Sequence, residues 1–353
     1  MGKGKLAVGL DIGSSSVKLV QLREKRGRYA LQAFGVAPLP PEAIVDGALM
    51  NSAAVVQAIH TLVSAQKVRN KDVAIGVHGH SVIIKKISVP RMSQEELDES
   101  MQWEAEQYIP FDVKEVHIDT QILGADDASG QMDVLLVAAK RDMIHDYTSV
   151  CAEAGLVATV VDVDAFAVQN AFELGHPATP GETVALINVG AAVTSLNVLA
   201  DGVTTFTRDV AMGGNAFTED IQKQLNVSHE EAEALKIGGQ GESDAVVPHE
   251  VERIVQGVAE QLAGEVQRSL DFYAATATGH PIARIYVSGG MARVPAVFRA
   301  LEQRSGIPVE ILDPLKAIER DERRFDPATI AAQAPIAAVA VGLALRRAGD
   351  KWR

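Results

Sequence analysis

The sequence has one cysteine, few aromatic residues and no long uninterrupted apolar run. Phe, Trp and Tyr together make up 5% of its 353 residues. The single cysteine, Cys151, cannot form an internal disulfide, so nothing in the sequence indicates an oxidising compartment. It belongs to the apolar helical stripe of Ile144, Tyr147, Cys151 and Ala154, which predicts a buried structural thiol. No apolar stretch approaches the ~20 residues that a membrane-spanning helix needs.

Basic residues are also scarce. The sequence holds 33 Lys and Arg against 46 Asp and Glu, which gives a net charge of −13. A general nucleic-acid binder neutralises phosphates with a basic surface, so this composition argues against that class. The first six residues are basic, but Asp11 interrupts the apolar stretch that follows, and we expect no secretory signal peptide. The basic residues at 345–353 are too few for a membrane-lying helix, and we expect a cytoplasmic protein.

What the sequence does have is a glycine-turn hairpin that occurs twice, half a chain apart. Residues 10–22 and residues 187–199 each read as a strand, a tight glycine turn and a second strand. Two places before the glycine stands Asp in the first copy and Asn in the second. Backbone N–H groups that converge at such turns suit a polyphosphate, which needs many donors at short range. Residues 11–18 are named the first glycine turn, and residues 188–194 the second glycine turn.

The first glycine turn carries the strongest indication of ligand binding. Gly13 lets the backbone approach a phosphate, and the three serines at 14–16 add hydroxyl donors. Lys18 brings a positive charge to the same end of the hairpin. Asp11 would repel a phosphate unless a cation stood between them, so it is predicted to hold water around Mg²⁺. The alternative is a plain polar turn, and the second copy of the pattern favours binding.

Two further glycine pairs and one charged pair are candidates for ligand contact. Double glycines let a flat base and ribose lie against the backbone, and Arg293 can stack on such a base. The acid and the lysine of the charged pair are one helical turn apart, so both can face one ligand. The alternatives are simple chain turns and a solvated helix face. His78 and His80 share a strand face, but no other ligand at metal spacing accompanies them, and no metal site is predicted. The candidates are Gly213, Gly214, Glu233, Lys236, Gly289, Gly290 and Arg293.

The middle of the chain indicates an inserted subdomain. Residues 81–140 read as strand, helix, strand and strand, which departs from the pattern before and after them. Ser93 and Glu96 form a capping box that opens the helix, which is predicted to run to about Tyr108. The fold class is therefore α/β, with two related domains and an insert in the first.

The second half continues with a glycine-rich loop at 238–241, a long helix at 248–278 and an almost wholly apolar last helix at 336–347. We expect the last helix to be buried because it has no polar face. The predicted division is 1–80 (first domain, N-terminal part), 81–140 (inserted subdomain), 141–175 (rest of the first domain), 176–335 (second domain) and 336–353 (C-terminal helix returning to the first domain).

Taken in order, these elements resemble the actin-like ATPase superfamily. The resemblance implies two α/β domains around a nucleotide cleft and covers nearly the whole chain. It likens residues 11–18 to the first phosphate loop, 188–194 to the second phosphate loop, 289–295 to the adenosine loop, and 161–172 and 334–345 to the two connecting helices.

Within that superfamily the sequence is most similar to the PilM family of type IV pilus assembly. The similarity is carried by Gly9–Leu22, Val161–Ala167, Arg268–Tyr273 and Val341–Arg346, together with the insert. It implies an ATP-binding scaffold of the twitching-motility organelle, recruited to the inner face of the inner membrane. It also implies a partner, the cytoplasmic N-terminal peptide of the inner-membrane protein PilN, held in a groove between the first domain and the insert. The implied cofactors are ATP and Mg²⁺, with ATP favouring a closed cleft.

The same resemblance assigns roles to individual residues. Asp162 and Asp164 are candidates for orienting an attacking water, and for Asp164 the alternative is helix capping. The implied nucleotide-binding residues are Asp11 (on the metal, through water), Gly13, Ser14, Ser15, Ser16 and Lys18 from the first domain, and Asn188, Gly190, Ala191, Thr194, Gly213, Gly214, Glu233, Lys236, Gly289, Gly290 and Arg293 from the second.

One residue departs from the superfamily pattern. The second phosphate loop usually begins with Asp, and here it begins with Asn188. Weakening an outer-shell metal contact costs about 10–100-fold in affinity or activity, so we expect ATP to bind and to be hydrolysed slowly at most. Two alternatives stay open at this point, a small-molecule kinase of the same superfamily and a filament-forming or FtsA-like cell-division protein.

Overall fold

The computed structural model describes residues 5–126, 130–237, 249–276 and 281–350, and it divides into two compact units. Unit 1 comprises residues 1–167, 205–207 and 339–353, and unit 2 comprises residues 168–204 and 208–338. The glycine-rich loop predicted at 238–241 and both ends of the helix predicted at 248–278 lie outside the described residues.

Both units are built from strands and helices, as the α/β prediction requires. The elements up to the first helix that enters unit 2 are β1 (Val8–Ile12), β2 (Ser16–Lys25), β3 (Arg28–Pro38), β4 (Ile44–Val45), β5 (Ala48–Leu49), α1 (Ser52–Ala65), β6 (Asp72–Val77), β7 (Val82–Pro90), α2 (Gln94–Glu104), β8 (Val116–Asp126), β9 (Gln131–Lys140), α3 (Arg141–Glu153), β10 (Val157–Val163) and α4 (Asp164–Gly175). The remaining elements are β11 (Thr183–Val189), β12 (Thr194–Ala200), β13 (Val203–Val210), α5 (Gly214–Leu225), α6 (His229–Ile237), α7 (His249–Thr276), β14 (Arg284–Ser288), α8 (Pro295–Ser305), β15 (Val309–Ile311), β16 (Ile318–Glu319), α9 (Pro327–Gln333) and α10 (Ala338–Ala344).

The main sheet of unit 1 has its strands in the order β10-β6-β1-β2-β3. β1 is antiparallel to β2 and parallel to β6, which is parallel to β10. The carboxyl ends of β1, β6 and β10 therefore lie at one edge of the sheet, where ligands of open α/β sheets bind. The apolar faces of α1 and α3 cover this sheet with side chains such as Ile59 and Tyr147. Cys151 is fully buried in this core, which confirms the predicted structural thiol.

The insert of unit 1 is a separate small sheet in the order β7-β9-β8, packed against α2. The predicted capping box is confirmed, because the Glu96 carboxylate accepts the Ser93 N–H at 2.8 Å and the Ser93 hydroxyl accepts the Glu96 N–H at 3.3 Å. α2 ends at Glu104, earlier than predicted, and a 3₁₀ turn over residues 105–107 follows. Pro110 disfavours α conformation in the residue before it, so the chain tightens and leaves the helix.

Unit 2 repeats the plan of unit 1 around a sheet in the order β13-β12-β11-β14-β15. β11 and β12 form the second antiparallel hairpin, and β11 is parallel to β14. The duplication seen in the sequence is thus a duplication of structure, with each glycine turn between the first two strands of its own sheet.

The helix predicted at 336–347 is shorter in the structure, where α10 covers Ala338–Ala344, and its residues are buried as expected. A 3₁₀ turn over residues 334–337 precedes α10 and separates it from α9, and Pro335 in this turn removes a backbone donor. The stretch Pro327–Ala344 is long and apolar enough to cross a membrane, yet 61% of it is buried in the protein. A Cβ built on Gly9 or on Gly342 would overlap the backbone of Ala340 or of Ala167. α10 is therefore packed directly on β1 and α4, as a core helix is.

Candidate functional site

The first glycine turn closes a tight hairpin between β1 and β2. Ile12 and Val17 are the last paired residues, and the Gly13 N–H donates to the Ser16 carbonyl at 3.2 Å. Ser15 is exposed, whereas Gly13 and the serines at 14 and 16 are half-buried. Asp11 pairs with Lys18 across the strands, so both side chains point to the same face of the hairpin. The turn thus presents hydroxyls beside one cation and one carboxylate.

Four ionisable side chains meet beside this turn, and we name them the unit 1 charge cluster: Asp11, Lys18, His78 and Asp164. The Lys18 ammonium lies 3.3 Å from the Asp11 carboxylate, and His78 Nδ1 lies 2.8 Å from Asp164 Oδ2. His78 directly follows β6, and Asp164 directly follows β10. The cluster therefore sits at the carboxyl ends of the parallel strands, which is the sheet edge at which chemistry is expected.

Burial raises the pKa of the Asp11 carboxyl above its ordinary value of 3.8, and the charge of Asp164 raises it further. The neighbouring Lys18 ammonium and His78 imidazole oppose that shift and lower the pKa of Asp11. Two carboxylates in one buried cluster repel each other, so an added divalent cation would favour the ionised form of Asp11.

The described residues contain no group of three His, Cys, Asp or Glu side chains that could hold a metal ion directly. The unit 1 charge cluster therefore does not surround a metal ion with protein ligands alone. Mg²⁺ usually keeps several waters and takes one or two carboxylates, and a site of that kind fits the Asp11 carboxylate.

Gly76 explains how Asp164 is held in the cluster. It lies in β6, opposite Asp162 of β10, and a Cβ built on it would lie 1.9 Å from Asp164 Oδ1. Only a glycine therefore leaves room for the Asp164 carboxylate above this strand. Glycine here is a requirement of packing, since the site needs the space that a side chain would fill.

The second glycine turn is braced by the glycine pair that precedes α5. The carbonyls of Gly190 and Ala191 accept the N–H groups of Gly214 and Asn215 at 2.9 and 2.8 Å. A Cβ on Gly213 would approach the Gly190 carbonyl oxygen to 2.6 Å, so this close approach requires glycine. The beginning of α5 is thus hydrogen-bonded directly to the second glycine turn. The sequence candidates at 188–194 and 213–214 therefore lie side by side.

Two hydroxyls fix the strands on either side of the second turn. The Ser288 hydroxyl donates to Asn188 Oδ1 at 3.0 Å, and the Thr194 hydroxyl donates to the Met212 carbonyl at 2.7 Å. The acceptor oxygen of Asn188 is thus engaged by β14, the strand that leads to Gly289. Asn188 therefore acts as a structural link between β11 and β14 in addition to any role toward a ligand.

The predicted nucleoside contacts of unit 2 also lie together. Lys236 Nζ lies 2.5 Å from Glu233 Oε1, 2.9 Å from the Thr218 hydroxyl and 3.3 Å from the Gly214 carbonyl oxygen. Thr218 also donates to Glu233. Met291 follows Gly290 directly, and its sulfur would be 3.2 Å from a Cβ on Gly214. α5, α6 and the turn after β14 therefore meet at these side chains.

The turn after β14 has the conformation that its glycines predict. Gly289 has φ of +89° and a Cβ there would lie within 3 Å of the Val189 backbone, so only glycine fits. A Cβ on Gly290, in contrast, would meet nothing within 4 Å, which leaves open space above the backbone. Arg293 ends this turn and is half-buried. Such a flat, open glycine surface is what a base and ribose require.

Asp162 lies apart from Asp164 in its contacts. Its carboxylate accepts the Val163 N–H at 2.8 Å and lies 3.3 Å from Arg346 Nη1. The water-orienting role predicted for Asp162 and Asp164 stays a prediction, and Asp164 is a member of the unit 1 charge cluster. The sequence interpretation did not include His78 among the site residues. The signal that could have found it is its place directly after a buried strand, as with Asp164.

A second feature of unit 1 is a cavity of about 500 Å³ that runs beside the two terminal strands β8 and β10. We name it the edge-strand cavity. Gln121 Oε1 and Arg346 Nε belong to residues that line it, and they are among the buried polar atoms of the described residues that have no hydrogen-bond partner. The other lining residues include Ile118 and Thr120 of β8, Leu135 and Val137 of β9, Thr159, Val161 and Asp162 of β10, and Phe166, Gly349 and Asp350.

A family model described as type IV pilus assembly protein PilM matches residues 9–348 of the chain. Among solved structures, one described as a PilM–PilN type IV pilus biogenesis complex superposes with a TM-score of 0.85 at 29% identity, covering 98% of this chain and 99% of that one. MreB5 of Spiroplasma citri bound to AMPPNP matches with a TM-score of 0.51 at 13% identity over 97% of this chain and 95% of its own. The last similarity shows the fold alone, and together these structures confirm the predicted actin-like fold.

Curated relatives are cell division proteins. FtsA of Enterococcus hirae is 24% identical over 89% of this chain and 79% of its own length. FtsA of Streptococcus pneumoniae is 27% identical over 67% of this chain, and the match spans 56% of that protein. The chain thus covers little more than half of the second relative.

Proposed function

The chain belongs to the family of type IV pilus assembly protein PilM, and from this premise we propose that it is an ATP-binding scaffold that holds the N-terminal cytoplasmic peptide of PilN in its edge-strand cavity. In this role it works at the inner face of the inner membrane and links PilN to the pilus alignment complex and to twitching motility. The observation that carries the proposal is the placement of that cavity between two terminal strands.

Terminal strands provide the main-chain part of peptide recognition. β8 ends the insert sheet and β10 ends the main sheet of unit 1, and both contribute residues to the cavity wall. A terminal strand presents backbone N–H and C=O groups, to which an extended peptide can add as a further strand. Side chains such as Val137 and Val161 give the wall apolar surface for alternate residues of the peptide.

Two side chains provide the polar part of recognition. Gln121 Oε1 is an acceptor and Arg346 Nε is a donor, and each is buried without a partner within the described residues. A buried polar atom left unsatisfied costs about 1–3 kcal/mol, so a ligand that pairs both atoms gains that amount on binding. A peptide backbone offers a donor and an acceptor in every residue, which matches this pair.

The identity of the peptide follows from the family. The structure that matches over 98% of this chain is described as a PilM–PilN complex. We therefore assign the cavity to the N-terminal peptide of PilN. The chemistry of the wall agrees with a mostly apolar, extended segment.

A titration of a fluorescent PilN N-terminal peptide tests this assignment with a matched pair of variants. Val137→Glu places a carboxylate in the cavity wall, and we expect peptide affinity to fall at least tenfold, since burying an unpaired charge is costly. Ile122→Glu changes a half-buried apolar residue on the opposite, α2-facing side of the same sheet, outside the cavity wall, and affinity should stay within twofold. Equal losses in both variants, or no loss in Val137→Glu, would rule out the cavity as the peptide site.

For the nucleotide, we propose that both glycine turns serve ATP binding. Asp11, Lys18 and the hydroxyls at 14–16 would hold phosphates and a hydrated Mg²⁺ in unit 1. In unit 2, the second glycine turn supplies backbone donors, and Gly290 leaves the surface for the nucleoside. The bound Mg²⁺ supplies charge neutralisation of the phosphates, and the residues position and screen them.

Binding of a fluorescent ATP analogue tests the nucleotide proposal separately from the peptide. Asp11→Ala should weaken binding in Mg²⁺ by about 10–100-fold, because an outer-shell metal contact is lost. Asp146→Ala removes an exposed carboxylate of α3 and serves as the control of equal charge. A pull-down with the PilN peptide, with and without Asp11→Ala, then measures whether ATP changes peptide affinity. Unchanged analogue binding in Asp11→Ala would contradict the assignment of the first turn.

A further inference from the structure

The tip of the β2–β3 hairpin is a compact basic patch on an acidic protein. Residues 23–28 contain four basic side chains and one acidic one, in a chain whose net charge is −13. The four cations are all exposed. We name Arg23, Lys25, Arg26 and Arg28 the basic tip.

The hairpin register places these cations on one face. Lys25 pairs with Arg28 across the strands, and Arg23 lies two residues before Lys25, so all three share a face. Glu24 points to the other face and forms an ion pair with Arg347. Like charges directly opposite each other on a hairpin are destabilising, so this arrangement does not serve the stability of the strands.

The turn itself carries a residue that its conformation disfavours. Arg26 has φ of +54° and Gly27 has φ of +77°, which are the values of a two-residue hairpin turn. Asn or Gly fits the first position with less strain than a long side chain. A cation therefore stands at the outermost point of the hairpin although a better turn residue exists.

We propose that the basic tip binds the anionic lipid headgroups of a membrane surface. An anionic leaflet attracts small clusters of Lys and Arg, and four cations on an exposed hairpin meet a flat surface without burying any of the acidic remainder. A nucleic acid would need a longer basic track to neutralise many phosphates.

The position of the basic tip relative to the edge-strand cavity supports a membrane surface as its ligand. This step rests on the proposed function. Arg347 holds Glu24 at the base of the tip, while its neighbours Arg346, Gly349 and Asp350 line the cavity. The same short segment thus joins the peptide site and the basic tip. A peptide that emerges from a membrane-anchored protein would hold the tip close to the bilayer.

Co-sedimentation with vesicles tests the proposal in the absence of PilN. Wild-type protein should pellet with vesicles of phosphatidylglycerol and phosphatidylethanolamine at low salt, and release as salt rises. It should not pellet with phosphatidylcholine vesicles. A quadruple variant with Gln at all four positions of the basic tip should bind the anionic vesicles roughly 100-fold more weakly or worse, since each cation contributes about fivefold.

A matched control separates the tip from net charge. Four exposed cations of unit 2 are replaced by Gln in the control, which changes the net charge by the same amount, and these are Lys223, Arg299, Arg304 and Arg323. The control should pellet like wild type. Equal loss in both variants, or wild-type protein that stays in the supernatant with anionic vesicles at low salt, would overturn the proposal.

Two further measurements distinguish its failure from failure of the peptide proposal. Arg26→Asn should raise the melting temperature slightly, because Asn fits the turn, and should still weaken vesicle binding about fivefold. If Arg26→Asn stabilises the fold and still weakens vesicle binding, the loss of binding comes from the missing charge and not from unfolding. PilN peptide affinity in solution should be unchanged in the quadruple variant, whatever the vesicles show. Vesicle binding that persists in the quadruple variant would refute the lipid-binding role of the basic tip and leave the peptide proposal untouched.

Discussion

Gly76→Ala is the substitution that most directly probes how the unit 1 charge cluster is built. A Cβ at this position would lie 1.9 Å from Asp164 Oδ1 and 3.1 Å from its Cγ. Since β6 is a central strand between β1 and β10, its backbone has little freedom to move away. The Asp164 carboxylate must therefore shift, and its 2.8 Å contact with His78 must break.

The expected cost has two parts. Adding a methyl group to a well-packed position costs about 1–3 kcal/mol. The contact between His78 and Asp164 is mostly buried, with side-chain exposures of 20% and 10%, so losing it leaves polar groups unsatisfied at a further cost of about 1–3 kcal/mol. The free energy of unfolding should fall by about 2–6 kcal/mol, which lowers the melting temperature by about 2–4 °C per kcal/mol for a unit of this size.

Thermal unfolding followed by circular dichroism measures this effect, with Gly257→Ala as the matched control. Gly257 is exposed in α7, and a Cβ there meets nothing within 4 Å. Alanine in a helix is about 1 kcal/mol better than glycine, so this control should be stabilised. Binding of the ATP analogue should fall in Gly76→Ala and stay unchanged in Gly257→Ala. A Gly76→Ala protein with a wild-type melting temperature and full analogue binding would show that Asp164 does not occupy the space above β6.

Other predictions concern single positions. Asn188→Asp should raise ATP turnover by about 10–100-fold while keeping the Ser288 hydrogen bond, measured as phosphate release; turnover no faster than wild type would contradict the role given to the missing charge. Gly342→Ala should lower the free energy of unfolding in urea by about 1–3 kcal/mol, because its Cβ would overlap Ala167, and an unchanged midpoint would refute that close packing. Burial raises the pKa of the Cys151 thiol from 9.0 to about 12, so native protein should resist thiol reagents, and stability should fall between those pH values as the unfolded thiol ionises first; rapid labelling at pH 8 would disprove this.

Local patterns were sufficient to predict the parts of the fold that local physics determines. Both glycine turns follow from strand alternation on either side of a glycine, and a hairpin needs only neighbouring residues. The capping box at Ser93 is equally local, since its two hydrogen bonds join residues three apart. Likewise, the helix predicted from residue 336 corresponds to α10, which begins at Ala338 directly after the 3₁₀ turn that contains Pro335.

The features that were missed depend on residues far apart in sequence. His78 joins the unit 1 charge cluster only because β6 lies between β1 and β10, and sheet order is a long-range property. The contact of Asp162 with Arg346 joins residues at opposite ends of the chain, so no spacing rule could separate Asp162 from Asp164. Similarly, the edge-strand cavity requires knowledge of which strands end their sheets.

The terminal strands β8 and β10 beside the edge-strand cavity have a consequence for the protein before it binds its partner. A strand that lacks a neighbour can accept one from any chain, so copies made without PilN are exposed to mispairing with each other. If the cavity holds the PilN peptide as proposed, its occupancy blocks that route and adds the binding free energy of the peptide to the folded state. Producing the scaffold together with its partner would then keep the scaffold soluble in addition to forming the complex.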